Sequence, residues 1–444
     1  MNDKQLTYRQ YAWKEFKKNK PALISFYLLI TITLIAVLSP LLANDQPLYV
    51  KYKGESFYPA FTTYFDKTAS EKFLDEVSGD TVEFSYQNID WRRINLENVW
   101  WPLIPYSPTS QDKYNRDYAD PNKEQRLLNS DGEMVELPRR LRHFWGADKL
   151  GRDVASGIIH GAKISLLVGL VSTVIAFFIG LTLGSTAGYF GDDQIKITRL
   201  QFVFGWIGLF IGYFYGLYIW LDSIEYSFGN NPIFAIIKLF LCMLSWGLIV
   251  FVFSKLGKMF SIGGFLKKKI YFPIDSYVNR LMEVLNSLPI IIVIISLSTI
   301  VTEGKLAILI LLLGVTGWTG VARLVRAEML RIKNLEYIQA SKVLGYSNLR
   351  IIFKHALPNG LAPVFVTFAF GVASAILSES ALSFLGIGVP SDMVTWGSML
   401  SAGRSEFEAW WLVIYPGLAI FITLTVCNLI GEGLRDALDP KHKK

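Results

Sequence analysis

Long apolar runs without a charged side chain dominate the hydrophobic pattern of the chain. Among the runs that contain no Asp, Glu, Lys or Arg are 24 residues from Pro21 to Asn44, 28 from Ile164 to Gly191, 22 from Leu200 to Leu221 and 23 from Ala409 to Gly431. A helix that crosses a bilayer needs about 20 predominantly apolar residues. The pattern therefore predicts a polytopic all-α membrane protein and excludes a soluble enzyme, a fibrous protein or a secreted module.

Eight membrane-spanning helices are predicted when the shorter apolar runs are added. They cover about residues 22–43, 162–190, 200–221, 232–254, 280–302, 306–324, 359–387 and 410–431. Composition agrees, because 52% of the residues are hydrophobic and 18% are charged, whereas an average soluble domain has about 25% charged residues. The first run follows four lysines, but it is longer than the apolar part of a signal peptide and lacks a good cleavage site. We interpret it as a retained anchor.

The distribution of lysine and arginine predicts how these helices are oriented. With the N-terminus inside, the cytoplasmic segments hold 25 Lys and Arg, whereas the short external segments hold only Lys305 and Arg404. Lys and Arg concentrate in cytoplasmic loops, so both termini are expected in the cytoplasm of a multi-pass protein in the cytoplasmic (inner) membrane. The net charge of +7 then reflects this topology, and we expect no nucleic-acid partner.

The long segment 44–161 is expected outside the membrane as a small extracytoplasmic lobe. It combines balanced charges with several tryptophans and many tyrosines, which is enough to form a compact mixed α/β fold. The sequence leaves two interpretations open: the lobe only caps the helices, or it also provides a docking surface for an external partner.

Two predicted spans carry glycines at a spacing of four residues, which places the glycines on one helix face. Such a face allows two helix backbones to approach closely and is typical of helix packing rather than of a substrate site. The repeats are Gly180, Gly184, Gly188 and Gly208, Gly212, Gly216.

Few charged residues lie within the predicted spans, and two of them are Lys238 and Glu379. Lys238 is near the outer end of the fourth span, where its side chain could extend to water. Glu379 lies in the seventh span, and a carboxylate at such a position is a functional candidate. The alternative is a place near the outer boundary, where Glu379 is paired with a partner or hydrated.

The cytoplasmic loop 323–358 has the pattern of a helix–turn–helix at the membrane surface. Apolar and polar residues alternate as in a surface helix up to Gly345, which suits a left-handed helix stop. Ser347 or Asn348 can cap a second short helix, and Pro358 is expected near the first turn of the next span. A rigid protrusion of this kind is something that a soluble partner could push or pull.

The residues of this loop resemble the EAA loop of bacterial ABC-importer permeases. The general pattern is E-A-A-x3-G-x9-I-x-L-P, and Gln339, Ser341 and His355 depart from it while the spacing is kept. The resemblance implies that the loop couples the permease to an ATPase through Glu336, Gln339, Ala340, Ser341, Gly345, His355, Leu357 and Pro358.

Three further stretches resemble the oligopeptide, dipeptide and nickel branch of these permeases. His143 to Asp153 is similar to the branch signature H-x-x-G-T-D-x-x-G-R-D, with Ala147 in place of Thr. The other two are Glu379 to Gly388 with Trp396-Gly397, and Leu434 to Pro440. Within the stretch from His143 to Asp153, four residues form a signature at the outer end of the second span: Asp148, Gly151, Arg152 and Asp153.

The N-terminal part is similar to permeases of microcin C and long-peptide uptake. The resemblance lies in Ala43-Asn44-Asp45, Pro47-Leu48 and Tyr52-x-Gly54-Glu55. No counterpart in the family is evident for residues 193–273, which hold two of the predicted spans.

The resemblance implies an organisation of the chain. A surface helix and first span occupy 1–43, the lobe 44–161, the second span 162–192, an inserted pair of spans 193–273, and the permease core 274–444 with the coupling loop 323–358. The core would be the six-helix bundle of a type I ABC importer.

The resemblance also implies how the chain works and with which partners. It would import oligopeptides or dipeptides by alternating access, with nickel or related small solutes as the alternative cargo. The implied partners are a second homologous permease, two ABC ATPases, an extracytoplasmic solute-binding protein and the lipid bilayer. ATP and Mg²⁺ would bind to the partner subunits, because this chain has no G-x4-G-K-[ST] motif and is expected to bind no cofactor.

Three other functions were weighed against the permease interpretation. A secondary transporter or channel predicts paired intramembrane carboxylates, whereas only Glu379 is found. A membrane hydrolase or transferase predicts motifs such as G-x-S-x-G or H-E-x-x-H, which are missing, so we expect neither catalytic nor metal-binding residues. A sensor subunit would not need the helical cytoplasmic loop.

Overall fold

The computed structural model describes most of the chain, and nearly all of the membrane part is helical. The described residues are 8–52, 55–66, 70–74, 81–86, 91, 98–128, 133–230, 232–260, 268–300, 305–390 and 393–438. Within these ranges, seven helices are long and apolar enough to cross a membrane, or up to eight if one bent helix pair is counted as a span. The predicted all-α polytopic class is confirmed.

The helices of the described residues overlap every predicted span, but several of their ends differ from the predicted bounds by six to eight residues. In chain order they are α1 (Tyr8–Lys18), α2 (Lys20–Val37), α3 (Ser39–Leu42), α4 (Pro59–Phe65), α5 (Val154–Phe190), α6 (Arg199–Gly216), α7 (Leu221–Asn230), α8 (Pro232–Met259), α9 (Ile274–Ser287), α10 (Ile290–Ile300), α11 (Lys305–Ile332), α12 (Glu336–Val343), α13 (Asn348–Arg350), α14 (Leu357–Gly360), α15 (Ala362–Phe384), α16 (Trp396–Gly403) and α17 (Trp411–Leu438).

The chain divides into two compact units. The first consists of Met1–Phe16, Leu170–Ala375 and Gly431–Lys444, and the second of Lys17–Gly169 and Ile376–Ile430. Helices α1, α5, α15 and α17 contribute residues to both units.

In the first unit, α5 and α11 pack with their backbones in close contact. A Cβ atom added to Gly184 would lie 2.5 Å from the carbonyl oxygen of Ala322, and one added to Gly188 would lie 2.5 Å from that of Arg326. Gly180 faces the carbonyl oxygen of Trp318 in the same way, at 2.8 Å. The predicted packing role of this glycine repeat is confirmed, and it fixes the position of α11.

The second glycine repeat joins the two long helices of the inserted region. Added Cβ atoms at Gly208, Gly212 and Gly216 would collide with α8, the last of them 2.9 Å from the backbone nitrogen of Trp246. At the base of the region, strands β8 (Lys196–Thr198) and β9 (Lys269–Tyr271) pair antiparallel. The inserted region lies within the first unit, and its two ends are joined by this two-stranded ribbon.

Lys238 has hydrogen-bond partners on a neighbouring helix, and its place near the outer end of the span stays a prediction. Its Nζ atom donates hydrogen bonds to the Oγ atoms of Ser223 at 2.9 Å and Ser227 at 2.8 Å. Both serines lie on α7, which follows the first inserted helix. The ammonium group is therefore satisfied by hydroxyl groups of a neighbouring helix and does not need to extend to water.

The predicted single span 280–302 is a broken helix. Helices α9 and α10 meet at an angle of 75°, with Leu288 and Pro289 between them. Leu288 adopts an extended conformation (φ −85°, ψ 126°), as the ring of a following proline requires. Pro289 also lacks the N–H group that would continue the helix, so the sequence explains the break, although the apolar pattern concealed it.

The second unit contains the described strands of the predicted lobe. Strands β1 (Tyr49–Tyr52), β2 (Glu55–Phe57) and β5 (Asn98–Trp100) form a three-stranded sheet in the order β2-β1-β5. Two further hairpins pair β3 (Ser70–Leu74) with β4 (Thr81–Ser85) and β6 (Arg126–Leu128) with β7 (Met134–Glu136). With the short helix α4, this matches the expected mixture of helix and strand, and the side of the membrane on which it lies stays a prediction.

The contact between α5 and α11 predicts a sharp difference between two glycine substitutions. Gly184→Ala should lower the free energy of unfolding by about 1–3 kcal/mol, because the added methyl group overpacks the contact with Ala322. Gly320→Ala on α11 is the matched control, because no heavy atom lies within 4 Å of the added Cβ, and it should be neutral or slightly stabilising. Thermal unfolding of the purified protein in detergent measures both, and equal unfolding temperatures would contradict the packing described.

Candidate coupling surface

The loop between α11 and α15 forms a rigid elbow, by which we mean α12, its turn at Gly345 and the helical segment 348–360. Helix α12 ends in a Schellman motif, in which Tyr346 N–H donates to the Ser341 carbonyl at 3.2 Å and Gly345 N–H to the Lys342 carbonyl at 3.0 Å. Gly345 has the φ of +75° that this motif requires. The predicted helix stop is confirmed.

Ser347 begins the second arm of the elbow. Its side-chain oxygen accepts a hydrogen bond from Arg350 N–H at 3.4 Å, which confirms Ser347 as the N-cap. The helix then widens into a π-helix from Ile351 to Ala356. Pro358 lies in the first turn of α14, as expected of a proline near N1, although α14 is a separate short helix and the spanning helix α15 begins at Ala362. The wider π-helical turn lies just before Pro358, whose nitrogen has no hydrogen to donate to the helix.

The inner side of the elbow is buried in the first unit. Ile338 of α12 is fully buried and packs with Met329 and Ile332, at the end of α11, and with Ile351 and Ile352. Tyr189 at the end of α5 donates a hydrogen bond to the Asn348 side chain at 3.2 Å. The elbow is therefore held on the ends of two helices, and it does not behave as a flexible linker.

The outer side of the elbow presents large apolar side chains. The exposed fractions are 88% for Val343, 70% for Leu344, 64% for Leu349 and 57% for Phe353. We call these four residues the apolar face. Large exposed apolar side chains grouped on one rigid element are a candidate protein–protein interaction site.

The predicted coupling residues divide between these two sides. Ser341 and Leu357 are buried, and His355 is half-buried with its ring stacked on Tyr346 at a centroid distance of 5.7 Å. Exposed members are Glu336, Gln339, Ala340, Gly345 and Pro358. The structure thus brings all eight residues into one element.

Two departures from the family pattern have local explanations. Gln339 donates its side-chain N–H to the carbonyl of Lys333 at 2.9 Å, and a glutamate could not donate this bond. Ser341 directs its hydroxyl to the Tyr337 carbonyl at 2.8 Å. Both polar groups are therefore satisfied within the elbow.

Sequence reasoning missed one feature of the elbow, a stack of three side chains. Tyr346 lies between the ring of His355 and the guanidinium group of Arg350, whose carbon is 4.3 Å from the ring centroid. An aromatic residue next to Gly345, with an arginine four residues later, was the available signal. The stack joins the turn to the second arm.

The signature at the start of α5 forms a separate buried cluster in the second unit. Asp148 accepts hydrogen bonds from the backbone N–H groups of Leu150 and Arg152, both at 2.9 Å, and from Arg152 Nε at 2.6 Å. Gly151 has φ +78° and is so close to Asp112 that a Cβ atom would lie 2.2 Å from its carbonyl oxygen. The spacing of this signature is explained by a tight turn.

His143 is the centre of the cluster and has no solvent exposure. Its Nδ1 atom is 2.8 Å from Asp153 Oδ2, and its Nε2 atom is 3.4 Å from Asp112 Oδ2. Asp153 also accepts a hydrogen bond from Ser156 N–H at 2.7 Å, which caps the first turn of α5. The ring of Tyr106 stacks on the imidazole at 4.1 Å.

The charges of this cluster shift two pKa values in opposite directions. Burial by itself lowers the pKa of His143, but the hydrogen bonds that its ring donates to Asp112 and Asp153, together with their negative charges, raise it above its ordinary value. Burial raises the pKa of Asp112, yet the bonds from His143, the Tyr114 backbone and Asn115 lower it to about 2. The cluster therefore favours an imidazolium held between carboxylates.

The intramembrane candidate Glu379 is fully buried in the second unit. The hydroxyl groups of Ser165, Ser383 and Ser380 donate to its carboxylate at 3.0, 2.7 and 3.3 Å. The carboxylate is thus enclosed and hydrogen-bonded rather than exposed to water, and whether it lies near the outer boundary of the membrane stays a prediction. Hydrogen bonds from serine hydroxyls to a buried polar side chain are typical of contacts between packed membrane helices.

The Trp396-Gly397 stretch packs beside this glutamate. A Cβ atom on Gly397 would lie 2.4 Å from the Ser380 carbonyl oxygen, and Trp396 Nε1 donates to the Ile158 carbonyl at 3.0 Å. The segment that begins at Glu379 and the Trp396-Gly397 pair, which together form one family motif, are therefore in direct contact. The C-terminal stretch is described only up to Leu438, so its last two residues lie outside the described residues.

Residues that could hold a metal ion were sought across the described ranges. No group of three or more His, Cys, Asp or Glu side chains there has a suitable arrangement.

Comparison with known proteins decides the family. Residues 259–444 match the model of the binding-protein-dependent transport system inner membrane component, and residues 7–59 match the N-terminal TM domain of oligopeptide transport permease C. The dipeptide transport system permease protein DppC of Bacillus subtilis (strain 168) is 32% identical over 310 residues, which are 69% of this chain and 72% of that protein. The chain belongs to the binding-protein-dependent permeases.

Two other relatives of this permease align over nearly its whole length. The inner membrane ABC transporter permease protein YejE of Escherichia coli (strain K12) is 26% identical over 438 residues, 97% of this chain and 96% of that protein. The peptidoglycan transport system permease protein YejE of Agrobacterium fabrum (strain C58 / ATCC 33970) is 24% identical over 440 residues, 97% and 92% of the two chains.

Membership of this family has direct functional consequences. The chain is a multi-pass membrane permease of an ABC importer and not the catalytic subunit. ABC ATPases and a solute-binding protein are the general partners of such permeases. The predicted family and the non-enzymatic function are confirmed.

The turn at Gly345 predicts a requirement for a residue that tolerates positive φ. Gly345→Val should lower ATP-driven uptake while membrane insertion stays normal, because a β-branched residue at φ +75° costs about 1–2 kcal/mol and displaces the apolar face. Gly345→Asn is the matched control, since asparagine adopts this conformation more readily. Uptake by proteoliposomes distinguishes them, and equal uptake by both variants would contradict the proposed strain.

The His143 cluster predicts a loss of stability at alkaline pH. A raised pKa in the folded state means that the stabilisation by His143 is complete below about pH 6.5 and is lost as the pH rises through the folded-state pKa. Asp112, with a pKa near 2, loses its contribution only in strong acid. The unfolding temperature of the purified protein should fall as the pH is raised above neutrality.

His143→Gln provides the comparison for this pH dependence. Below the folded-state pKa of His143 the variant should be less stable than the wild type, because it loses the ion pairs, and its unfolding temperature should change less with pH. An identical pH profile in the two proteins would show that His143 is not the titrating group.

Proposed function

We propose that this chain is one of two permease subunits of a peptide importer and that the apolar face of its elbow docks on an ABC ATPase. One observation carries the docking proposal. Ile338 is fully buried on α12, whereas Val343 and Leu344, a turn or so further along, are 88% and 70% exposed. The same short helix thus combines a rigid attachment with an open interaction surface.

The mechanism follows from this attachment. Movement of a docked ATPase on binding ATP would displace the elbow, and α11 would follow because Met329 and Ile332 share a core with Ile338. Displacement of packed helices as rigid bodies is an established way to alternate between two states. In this mechanism the predicted coupling residues, from Glu336 to Pro358, shape the docking surface and take no part in a chemical reaction.

The assembly that we propose has two permeases, two ATPases and one external binding protein in the cytoplasmic membrane. The orientation with both termini inside is supported by the Lys and Arg distribution. In this assembly 44–161 lies outside, 193–273 is an additional pair of spans, and 274–444 contains the core. ATP and Mg²⁺ are held by the partner ATPases.

Peptides are the cargo that the relatives support best. Their names refer to dipeptide, oligopeptide and peptidoglycan transport, whereas nickel transport is not among them. We propose oligopeptides or dipeptides, including peptide-bearing cell-wall fragments, as the substrate class of this permease.

Reconstitution of the full transporter tests the function directly. The permease pair, the ATPases and the binding protein are placed in proteoliposomes, and ATP hydrolysis and uptake are measured with a dipeptide, a longer peptide, a peptidoglycan fragment or Ni²⁺. ATP-dependent accumulation of at least one peptide-containing substrate is expected. Uptake without ATPases, or stimulation by Ni²⁺ alone, would overturn the proposal.

The apolar face predicts a specific loss of ATPase binding. Leu344→Glu should reduce co-purification of the ATPase by about tenfold or more, because a buried hot-spot residue contributes about 2 kcal/mol or more to an interface. Phe407→Glu is the matched control: Phe407 is 95% exposed but lies in the segment before α17, away from the elbow in the sequence, and should leave co-purification unchanged. Equal losses in both variants, or in neither, would contradict the docking site.

A further inference from the structure

Helices α9 and α11 are held together by an ion pair that the predicted coupling residues do not include. Arg326 of α11 donates through Nε to Asp275 Oδ1 and through Nη2 to Asp275 Oδ2, the latter at 2.6 Å. The two side chains are 27% and 16% exposed. A bidentate, largely buried arginine–carboxylate pair has fixed geometry and is stronger than an exposed pair.

A second polar contact joins the same helices further along. Thr319 Oγ1 donates to Asn286 Oδ1 at 3.1 Å. Thr319 lies two helical turns before Arg326 on α11, and Asn286 lies in the last turn of α9. The helices are therefore antiparallel and are tied near both ends of α9.

Apolar packing fills the space between the two polar contacts. Val278 and Met282 of α9 share a buried cluster with Trp318 and Ala322 of α11. Ala322 is also the residue that Gly184 of α5 approaches. Helices α5, α9 and α11 thus form one packed body within the first unit.

The first turn of α9 has an additional anchor at the end of α5. Asp192 accepts hydrogen bonds from Ser276 N–H at 2.9 Å and Ser276 Oγ at 2.6 Å. These bonds lower the pKa of the Asp192 carboxyl. Asp275, beside Ser276, is therefore presented to Arg326 by a helix turn that cannot rotate freely.

The location of the ion pair relates it to movement. On one side, α11 continues to Met329 and Ile332, which share a core with the elbow residue Ile338. On the other side, α9 ends one residue before the break at Leu288 and Pro289, where the chain bends by 75° into α10. The pair thus lies on the path between the elbow and the only broken span among the described helices.

We infer that the Arg326–Asp275 pair transmits displacement of the elbow to the broken span α9–α10, so that both residues are positioning residues for transport. This inference rests on the proposed function, because it requires an ATPase that moves the elbow. With the pair intact, α9 must follow α11, and the break before α10 is the nearest joint at which the movement can change direction. Without it, α11 can move while α9 lags behind.

The test compares coupling, not only activity, in the complete reconstituted transporter. The measured quantity is peptide imported per ATP hydrolysed, together with the amount of assembled complex. Arg326→Gln and Asp275→Asn should each lower this ratio by at least about fivefold, a typical magnitude for loss of coupling between sites. Arg326→Lys keeps the charge but not the two-pronged geometry, and its ratio should be intermediate.

Two further variants separate coupling from simple bracing. Arg280→Gln removes an exposed ion pair with Glu283 on the same helix α9 and should leave the ratio unchanged. The exchanged pair, Arg326→Asp with Asp275→Arg, should recover most of the ratio that either single variant loses, because it restores opposite charges at the same positions.

The outcomes are distinguishable from failure of the proposed function. A wild-type complex without ATP-driven peptide uptake would contradict the proposed function itself. With an active wild-type complex, a normal ratio in Arg326→Gln and Asp275→Asn overturns the inference, even if less complex is assembled. An exchanged pair that recovers assembly but not the ratio, or that recovers neither, overturns it as well.

Discussion

The close backbone contact between α5 and α11 is the constraint on which the first unit depends. Lipid tails are as apolar as the helices, so burial of apolar side chains gives little driving force for helix association in a bilayer, and close packing must supply it. Gly180, Gly184 and Gly188 provide that packing by bringing the α5 backbone against the carbonyl groups of α11. Everything that α11 carries, including the elbow at its end, takes its position from this contact.

Local sequence patterns predicted the features that depend on local physics. Charge-free runs of sufficient length identified the spans, and glycine spacing identified the faces that pack. Gly345 and Ser347 marked the end of one elbow helix and the start of the next, because a positive φ and a side-chain cap are properties of single residues. The family motifs added the functional meaning that these patterns do not contain.

The features that the sequence concealed depend on residues distant along the chain. Arg326 meets Asp275 across 51 positions and His143 meets Asp112 across 31, and no spacing rule links such residues. The break before Pro289 was concealed for a different reason. Its flanking residues are uniformly apolar, so a count of hydrophobic residues extends across it, and only the conformational restriction imposed by proline reveals it.

In this permease a buried polar group is best explained by structure, whereas exposed apolar groups are the better functional candidates. A carboxylate inside a span is a functional candidate by default, yet Glu379 accepts three serine hydroxyl bonds in a closed environment, which suits a structural contact. Val343 and Leu344, by contrast, are apolar and exposed on a helix whose other side is fully buried. A subunit that receives mechanical work from a partner needs no reactive group. It needs a surface that binds the partner and a rigid connection to the helices that move, and in the proposed mechanism the elbow on α11 supplies both.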